Sequence, residues 1–175
     1  SGGGADGDMA MAKMAPAMNA LPKADDRVAR LRRRWPGLAS MTLDLDVIAH
    51  GVSEDDAPEA PVFVCGLARA GTTFLTEFLA SSPKAASHRY SDRAWPHAAG
   101  LWRRIDRALY KRPEKIPRAH GDGIWVDRES PESADEALWR EFTGSPDEFA
   151  TAYKRHLAVI AKSEGRRRYA GKNNE

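Results

Sequence analysis

The residues best suited to chemistry lie in one glycine-bounded segment, Gly66-Leu67-Ala68-Arg69-Ala70-Gly71-Thr72-Thr73. Its glycines allow a tight turn in which successive backbone N–H groups point inward at an anion. The two threonine hydroxyls add further donors, and Arg69 brings a positive charge into the segment. This combination is typical of a site that binds a phosphate or sulfate group.

The segment has the frame of a phosphate-binding P-loop, G-x-x-x-x-G-K-[ST], except that Thr72 stands where the lysine belongs. That lysine normally reaches the β- and γ-phosphates of a nucleotide. Without it, the loop suits one terminal phosphate better than a triphosphate. A strand–glycine–helix turn with no ligand is the simpler alternative at this point.

The elements on either side of the loop favour the phosphate-binding interpretation. Pro61–Cys65 is a short apolar run that predicts a strand, and because both of its faces are apolar we expect the central strand of a parallel sheet. The spacing of apolar residues from Thr72 to Ala80 predicts a helix. A helix that starts directly after the loop adds the positive end of its dipole and its unbonded N–H groups.

Further elements follow from the same kind of pattern. Apolar spacing predicts helices over Asp25–Trp35, around Thr42–His50 and from Trp95 to Leu109, the last with Arg103, Arg104 and Arg107 on its outer side. Two Ser-Pro-acid sequences, at Ser130 and Ser145, each predict a helix start. Short strands are expected at Ala85–Tyr90 and from Arg168 to Gly171. The fold class is therefore α/β, with helices flanking a parallel sheet.

We divide the chain into three parts by composition. Residues 1–23 are expected to be a disordered arm, residues 24–60 an N-terminal helix with an acidic linker, and residues 61–175 the α/β domain.

Across 175 residues the net charge is only +2, so no nucleic-acid partner is indicated. No apolar run reaches the length of a membrane span, and we expect a cytoplasmic location. The single cysteine, Cys65, is expected to be buried in its strand.

The loop and its surroundings resemble the 5′-phosphosulfate-binding segment of sulfotransferases, which use 3′-phosphoadenosine 5′-phosphosulfate (PAPS). The resemblance lies in Val62–Leu75 followed by Leu79-Ala80-Ser81-Ser82-Pro83, and the arginine in the loop is similar to the tyrosylprotein and bacterial branches. The segments Arg118–Gly123, with Asp127 and Ser130-Pro131-Glu132, and Arg168–Asn174 are similar to a bacterial subgroup. The resemblance implies a P-loop-like three-layer fold of which this chain holds the N-terminal part, with an incomplete sheet.

The resemblance also implies roles for individual residues in sulfuryl transfer to a small-molecule hydroxyl or amine acceptor. Arg69 would hold the phosphosulfate and neutralise its bridging oxygen, and Lys172 would polarise the sulfuryl group. Asp92 is the nearest match to the family's acidic base, and His120 beside Asp122 is a rival for that role. The donor would also be bound by the backbone of Ala70, Gly71, Thr72, Thr73 and Phe74.

No metal is expected, because a sulfuryl group beside one phosphate carries less charge than a triphosphate. His88 and His97 are also too far apart in sequence to lie on one helical turn. Two other functions remain open for the same loop. One is a P-loop phosphotransferase, and the other is a catalytically silent nucleotide-binding module.

Overall fold

A computed structural model of the protein describes residues 23–35, 37–67, 70–109, 115–117, 125–142 and 144–173. The helices are α1 (Lys23–Arg34), α2 (Gly37–Ala49), α3 (Thr72–Ala80), α4 (Ala99–Leu109), α5 (Asp135–Glu141) and α6 (Pro146–Ser163). The strands are β1 (Val62–Cys65), β2 (Ala85–Ala86), β3 (Ile116–Pro117), β4 (Trp125–Val126) and β5 (Arg168–Asn173). Two 3₁₀ turns, Tyr90–Ala94 and Pro96–Ala98, precede α4. The predicted arm at residues 1–23 lies almost wholly outside the described residues.

The main sheet has three parallel strands in the order β1-β5-β2. The prediction that β1 is the central strand is wrong within the described chain, because β5 lies between β1 and β2. Of the four β1 residues only Val64 is buried, and Cys65 is exposed instead of buried as expected. An apolar composition shows that a strand can be covered on both faces, but its neighbours decide whether it is.

Helices cover both faces of β5. Side chains alternate along a strand, so Tyr169 and Lys172 point to opposite faces. Tyr169 packs with Leu157 and Ile160 of α6, whereas Lys172 reaches Thr73 of α3. The layers are therefore α3, the sheet and α6, which confirms the predicted α/β arrangement of a parallel sheet between helices.

Helix α6 begins where the sequence predicts it. Ser145 Oγ accepts a hydrogen bond from the Glu148 N–H at 3.3 Å, and the Glu148 carboxylate accepts one from the Ser145 N–H at 2.7 Å. Pro146 takes the first helical position, where no N–H is needed. This reciprocal capping fixes the helix that covers one face of the sheet.

The second predicted helix start, at Ser130, is wrong. Residues 128–130 form a turn, Pro131 pairs with Arg89 in an isolated bridge, and the Tyr90 N–H donates to the Ser130 carbonyl at 2.9 Å. Helix α5 begins later, at Asp135. Long-range backbone hydrogen bonds have overridden the local preference of the Ser-Pro-acid sequence.

Residues before the loop contribute to the same core as those after it. Helix α2 starts five residues before the predicted Thr42, and its Leu43 and Val47 pack against Ala158 and Val159 of α6. The boundary that we place at residues 60 and 61 remains a prediction.

Among the described residues, no helix is both long enough and apolar enough to cross a membrane.

Candidate functional site

The glycine-bounded loop joins the end of β1 to the start of α3. Gly71 adopts a φ of 80°, a left-handed conformation that glycine takes without strain, and forms the N-cap of α3. The Leu75 N–H donates to the Gly71 carbonyl at 3.1 Å, so the helix starts immediately at Thr72. The two threonines therefore occupy the first turn of α3, where the helix dipole favours an anion.

Lys172 reaches this loop from a position 99 residues further along the chain. Its Nζ donates to Thr73 Oγ1 at 3.1 Å, although the Lys172 side chain is only 6% exposed. The parallel register places Lys172 beside Val64, one residue before the end of β1. The fold thus adds a buried ammonium group to the helix start, while the role of Lys172 in polarising a sulfuryl group stays a prediction.

Of the other predicted site residues, three lie outside the described part of the chain and two, Phe74 and Ala70, lie within it. Arg69, His120 and Asp122 lie outside the described residues, so their roles stay predictions. Phe74, predicted to contribute its backbone, lies in the first turn of α3 with its ring 75% exposed. Ala70 turns back on the loop, since its N–H donates to the Leu67 carbonyl at 3.1 Å.

Asp92, the predicted acidic base, is completely buried and held in the interior. Arg103 Nη2 donates to Asp92 Oδ2 at 2.6 Å and Arg103 Nε donates to Oδ1 at 3.0 Å, while the Arg89 N–H donates to Oδ2 at 2.8 Å. Burial raises the pKa of Asp92, but the charge and hydrogen bonds of Arg103 outweigh it and hold the pKa well below its usual range. Both oxygens are thus occupied by interior donors, which is the geometry of a structural ion pair.

Arg103, the partner of Asp92, was not predicted to be buried. Arg103 was expected on the outer side of its helix, yet it is 2% exposed, and Ile105 on the same helix is 49% exposed. Arg103 Nη1 also donates to Glu164 Oε1 at 2.6 Å, which joins α4 to the end of α6. The charge of an arginine gave no signal that it would be buried, because its carboxylate partners are 11 and 61 positions away.

A cavity of about 320 Å³ lies between α3 and the segment that follows β2. Its lining combines apolar surface with seven side chains that are charged or carry a hydroxyl group: Glu77, Ser81, Ser87, Arg89, Glu129, Glu164 and Arg166. Helix α3 therefore contributes to two places, the loop at its start and this cavity along its second half. Among the described residues, no group of three or more His, Cys, Asp or Glu side chains is arranged to hold a metal ion.

Comparison with known proteins gives little further information. No family model matches the sequence, and no curated protein matches it. Among solved structures, the sulfotransferase STF1 from Mycobacterium tuberculosis is similar to this chain with 18% sequence identity and a TM-score of 0.49. The match covers 92% of this chain and 52% of that one, so the chain spans about half the length of that protein. A likeness this distant assigns neither a family nor an activity.

Proposed function

We propose that this chain binds PAPS through the loop at residues 66–73 and supports transfer of its sulfuryl group to a hydroxyl or amine of a small-molecule acceptor. The proposal rests on the loop motif and its resemblance to sulfotransferases. The observation that carries it is the contact of Lys172 with Thr73, 3.1 Å between Nζ and Oγ1. This contact joins the loop, where the resemblance is strongest, to the Arg168–Asn174 segment, which also resembles sulfotransferases.

The chemistry of the described residues fits a phosphate that carries a sulfuryl group. In a P-loop the lysine belongs to the loop itself, but here Thr72 takes that position. Lys172 supplies the ammonium group from the neighbouring strand instead, close to the threonine hydroxyls and the start of α3. An ammonium group, hydroxyl donors and a helix N-terminus together favour a small dianion.

Each residue then has a distinct role. The backbone from Ala70 to Phe74 and the threonine hydroxyls hold the 5′-phosphosulfate. Lys172 polarises the sulfuryl oxygens, and Arg69 neutralises the charge that develops on the bridging oxygen. Fixed donors that face developing charge are often the largest catalytic contribution, roughly 3–4 kcal/mol for each donor.

The test is calorimetric titration with 3′-phosphoadenosine 5′-phosphate, the product left after transfer, and with ATP for comparison. We expect micromolar binding of the former and a preference over ATP. Lys172→Met keeps the length of the buried side chain but removes a charged donor worth about 1.5–3 kcal/mol, which is about a 10- to 150-fold loss of affinity. Arg69→Ala should also weaken binding.

The control is Lys84→Met, because Lys84 is exposed and outside the loop. It should bind like the parent chain, and circular dichroism should show that all variants are folded. A folded parent chain that does not bind the nucleotide would refute the donor site. Equal affinity in the parent and Lys172→Met would refute a contact between Lys172 and the 5′-phosphate of this nucleotide.

A further inference from the structure

The outer face of α2 is apolar, although a surface helix normally presents polar residues there. Met41, Leu45 and Ile48 are four and three positions apart, so they share one side of the helix, and each is at least half exposed. On the opposite side, Leu43 and Val47 pack against α6. The outer face of α2 is therefore suited to contact an apolar surface outside the described residues.

Helix α1 leads into a second exposed apolar pair, which lies among basic residues. Leu31 and Trp35 are four positions apart, and each is more than half exposed. Arg27 and Arg34 are also exposed, and the spacing of 3.6 residues per turn places them on the same side of the helix. Lys23–Arg34 contains six basic and two acidic residues, a net charge of +4, whereas the whole chain carries +2. Positive charge is thus concentrated on α1.

Both helices pack their inner sides on the same segment of the protein. In α1, Arg32 Nη1 lies 3.5 Å from His97 Nδ1, and in α2, Thr42 Oγ1 accepts a hydrogen bond from Trp95 Nε1 at 3.0 Å. The turn between the helices is tight, since the N–H of residue 38 donates to the carbonyl of residue 35 at 2.9 Å. The exposed side chains of the two helices therefore point away from residues 95–97. We call them the α1–α2 surface, which consists of the arginines of α1 other than Arg32 together with Leu31, Trp35, Met41, Leu45 and Ile48.

Positive charge dominates this surface. Of the two acids in α2, Asp46 is buried and Asp44 lies 3.7 Å from Arg155 of α6. The next exposed acids along the chain, Glu54 and Asp55, come after the helix has ended. The arginines of α1 are therefore the main charges beside the apolar side chains, and they complement an anionic partner.

An anionic bilayer has both properties that complement this surface. Its headgroups are negative, and the acyl chains beneath them accept apolar side chains. Tryptophan, here Trp35, is typical of the boundary between headgroups and acyl chains. A second copy of this chain fits less well, because a two-fold contact between α1 helices would bring their arginines together.

We propose that the α1–α2 surface binds membranes that contain anionic phospholipids. The arginines contact the headgroups, and the apolar side chains of both helices enter the outer part of the acyl layer, so that α1 and α2 lie along the bilayer. Each basic residue near such a surface strengthens binding about fivefold. Neither helix contributes a residue to the loop at residues 66–73, so membrane binding is separate from the proposed PAPS site.

The experiment is sedimentation of the full chain with two kinds of vesicle, one of phosphatidylcholine alone and one of an equal mixture with phosphatidylglycerol. We expect binding to the anionic vesicles, and we expect it to weaken as salt is added, because salt screens the attraction. Replacing Arg27 and Arg34 together with Gln should lower the partition coefficient about 10- to 30-fold. The matched control replaces Arg104 and Arg107 of α4, which are also exposed, and should bind like the parent.

A second pair of variants tests the apolar contact. Ile48→Ser should weaken binding, whereas Ile105→Ser, at an exposed isoleucine on α4, should not; circular dichroism should show that all variants are folded. The proposal is overturned if the parent does not bind anionic vesicles, if it binds both vesicle types equally, or if each variant binds like its control. A dimer in analytical ultracentrifugation that Ile48→Ser alone dissociates, without vesicle binding, would assign the surface to self-association instead.

Discussion

Replacing Asp92 with Asn should destabilise the protein strongly, because the change leaves Arg103 buried beside a neutral partner. Arg103 is 2% exposed and makes two hydrogen bonds to Asp92, at 2.6 and 3.0 Å. Removing one member of a buried ion pair costs about 3–5 kcal/mol. Because Glu164 still accepts from Arg103 at 2.6 Å, we expect the lower end of that range.

The assay is urea unfolding followed by circular dichroism. With an m-value of about 2 kcal/mol/M, a loss of about 3 kcal/mol lowers the unfolding midpoint by about 1.5 M. The matched control is Asp44→Asn, because Asp44 is 61% exposed and lies 3.7 Å from Arg155. Exposed pairs contribute about 0–1 kcal/mol, so that midpoint should hardly move.

An unfolding midpoint in Asp92→Asn equal to that of Asp44→Asn would contradict the buried ion pair. Asp92 would then not be a structural anchor, and its predicted role as a base would regain support. A large loss of stability with unchanged affinity for 3′-phosphoadenosine 5′-phosphate would instead place Asp92 in the scaffold of the site.

Two further predictions concern stability. Burial, and to a lesser extent the charge of Arg32, lowers the pKa of His97 to about 4. As the pH falls below about 6.5, His97 therefore becomes protonated in the unfolded chain before it does in the folded protein, and about 3 kcal/mol of the free energy of unfolding is lost by about pH 4. Urea unfolding midpoints measured across this pH range should fall less steeply in His97→Gln. In Gly100→Ala the new Cβ would lie 2.5 Å from His50 Cε1 and 2.8 Å from Asp46 Oδ1, so thermal unfolding should show a loss of about 1–3 kcal/mol. Gly37→Ala, whose Cβ would meet nothing within 4 Å, should show no such loss.

Local sequence predicted the elements whose causes are local. The capping residues around Ser145 act within four positions, and helix α6 begins there in the structure. The strand before the loop and the helix after it were also predicted within one residue of their bounds. Ser130 shows the limit, since hydrogen bonds with residues about 40 positions away hold its segment in a turn and a bridge instead of a helix.

Charge burial was not predictable in the same way. Arginine side chains usually lie at the surface, and only the ion pairs with Asp92 and Glu164 make the burial of Arg103 favourable. The cavity beside α3 is likewise formed by segments that are distant in the chain.

The order of strand, glycine loop and helix follows from the local sequence, because turn geometry and apolar spacing act over a few residues. The local sequence also indicated an anion as the ligand. The tertiary structure places β5 beside β1 and thereby brings Lys172 into hydrogen-bond contact with Thr73. It also decided that Asp92 is buried in an ion pair. The physical reason is that strand pairing and charge burial depend on partners far along the chain, which no local pattern specifies.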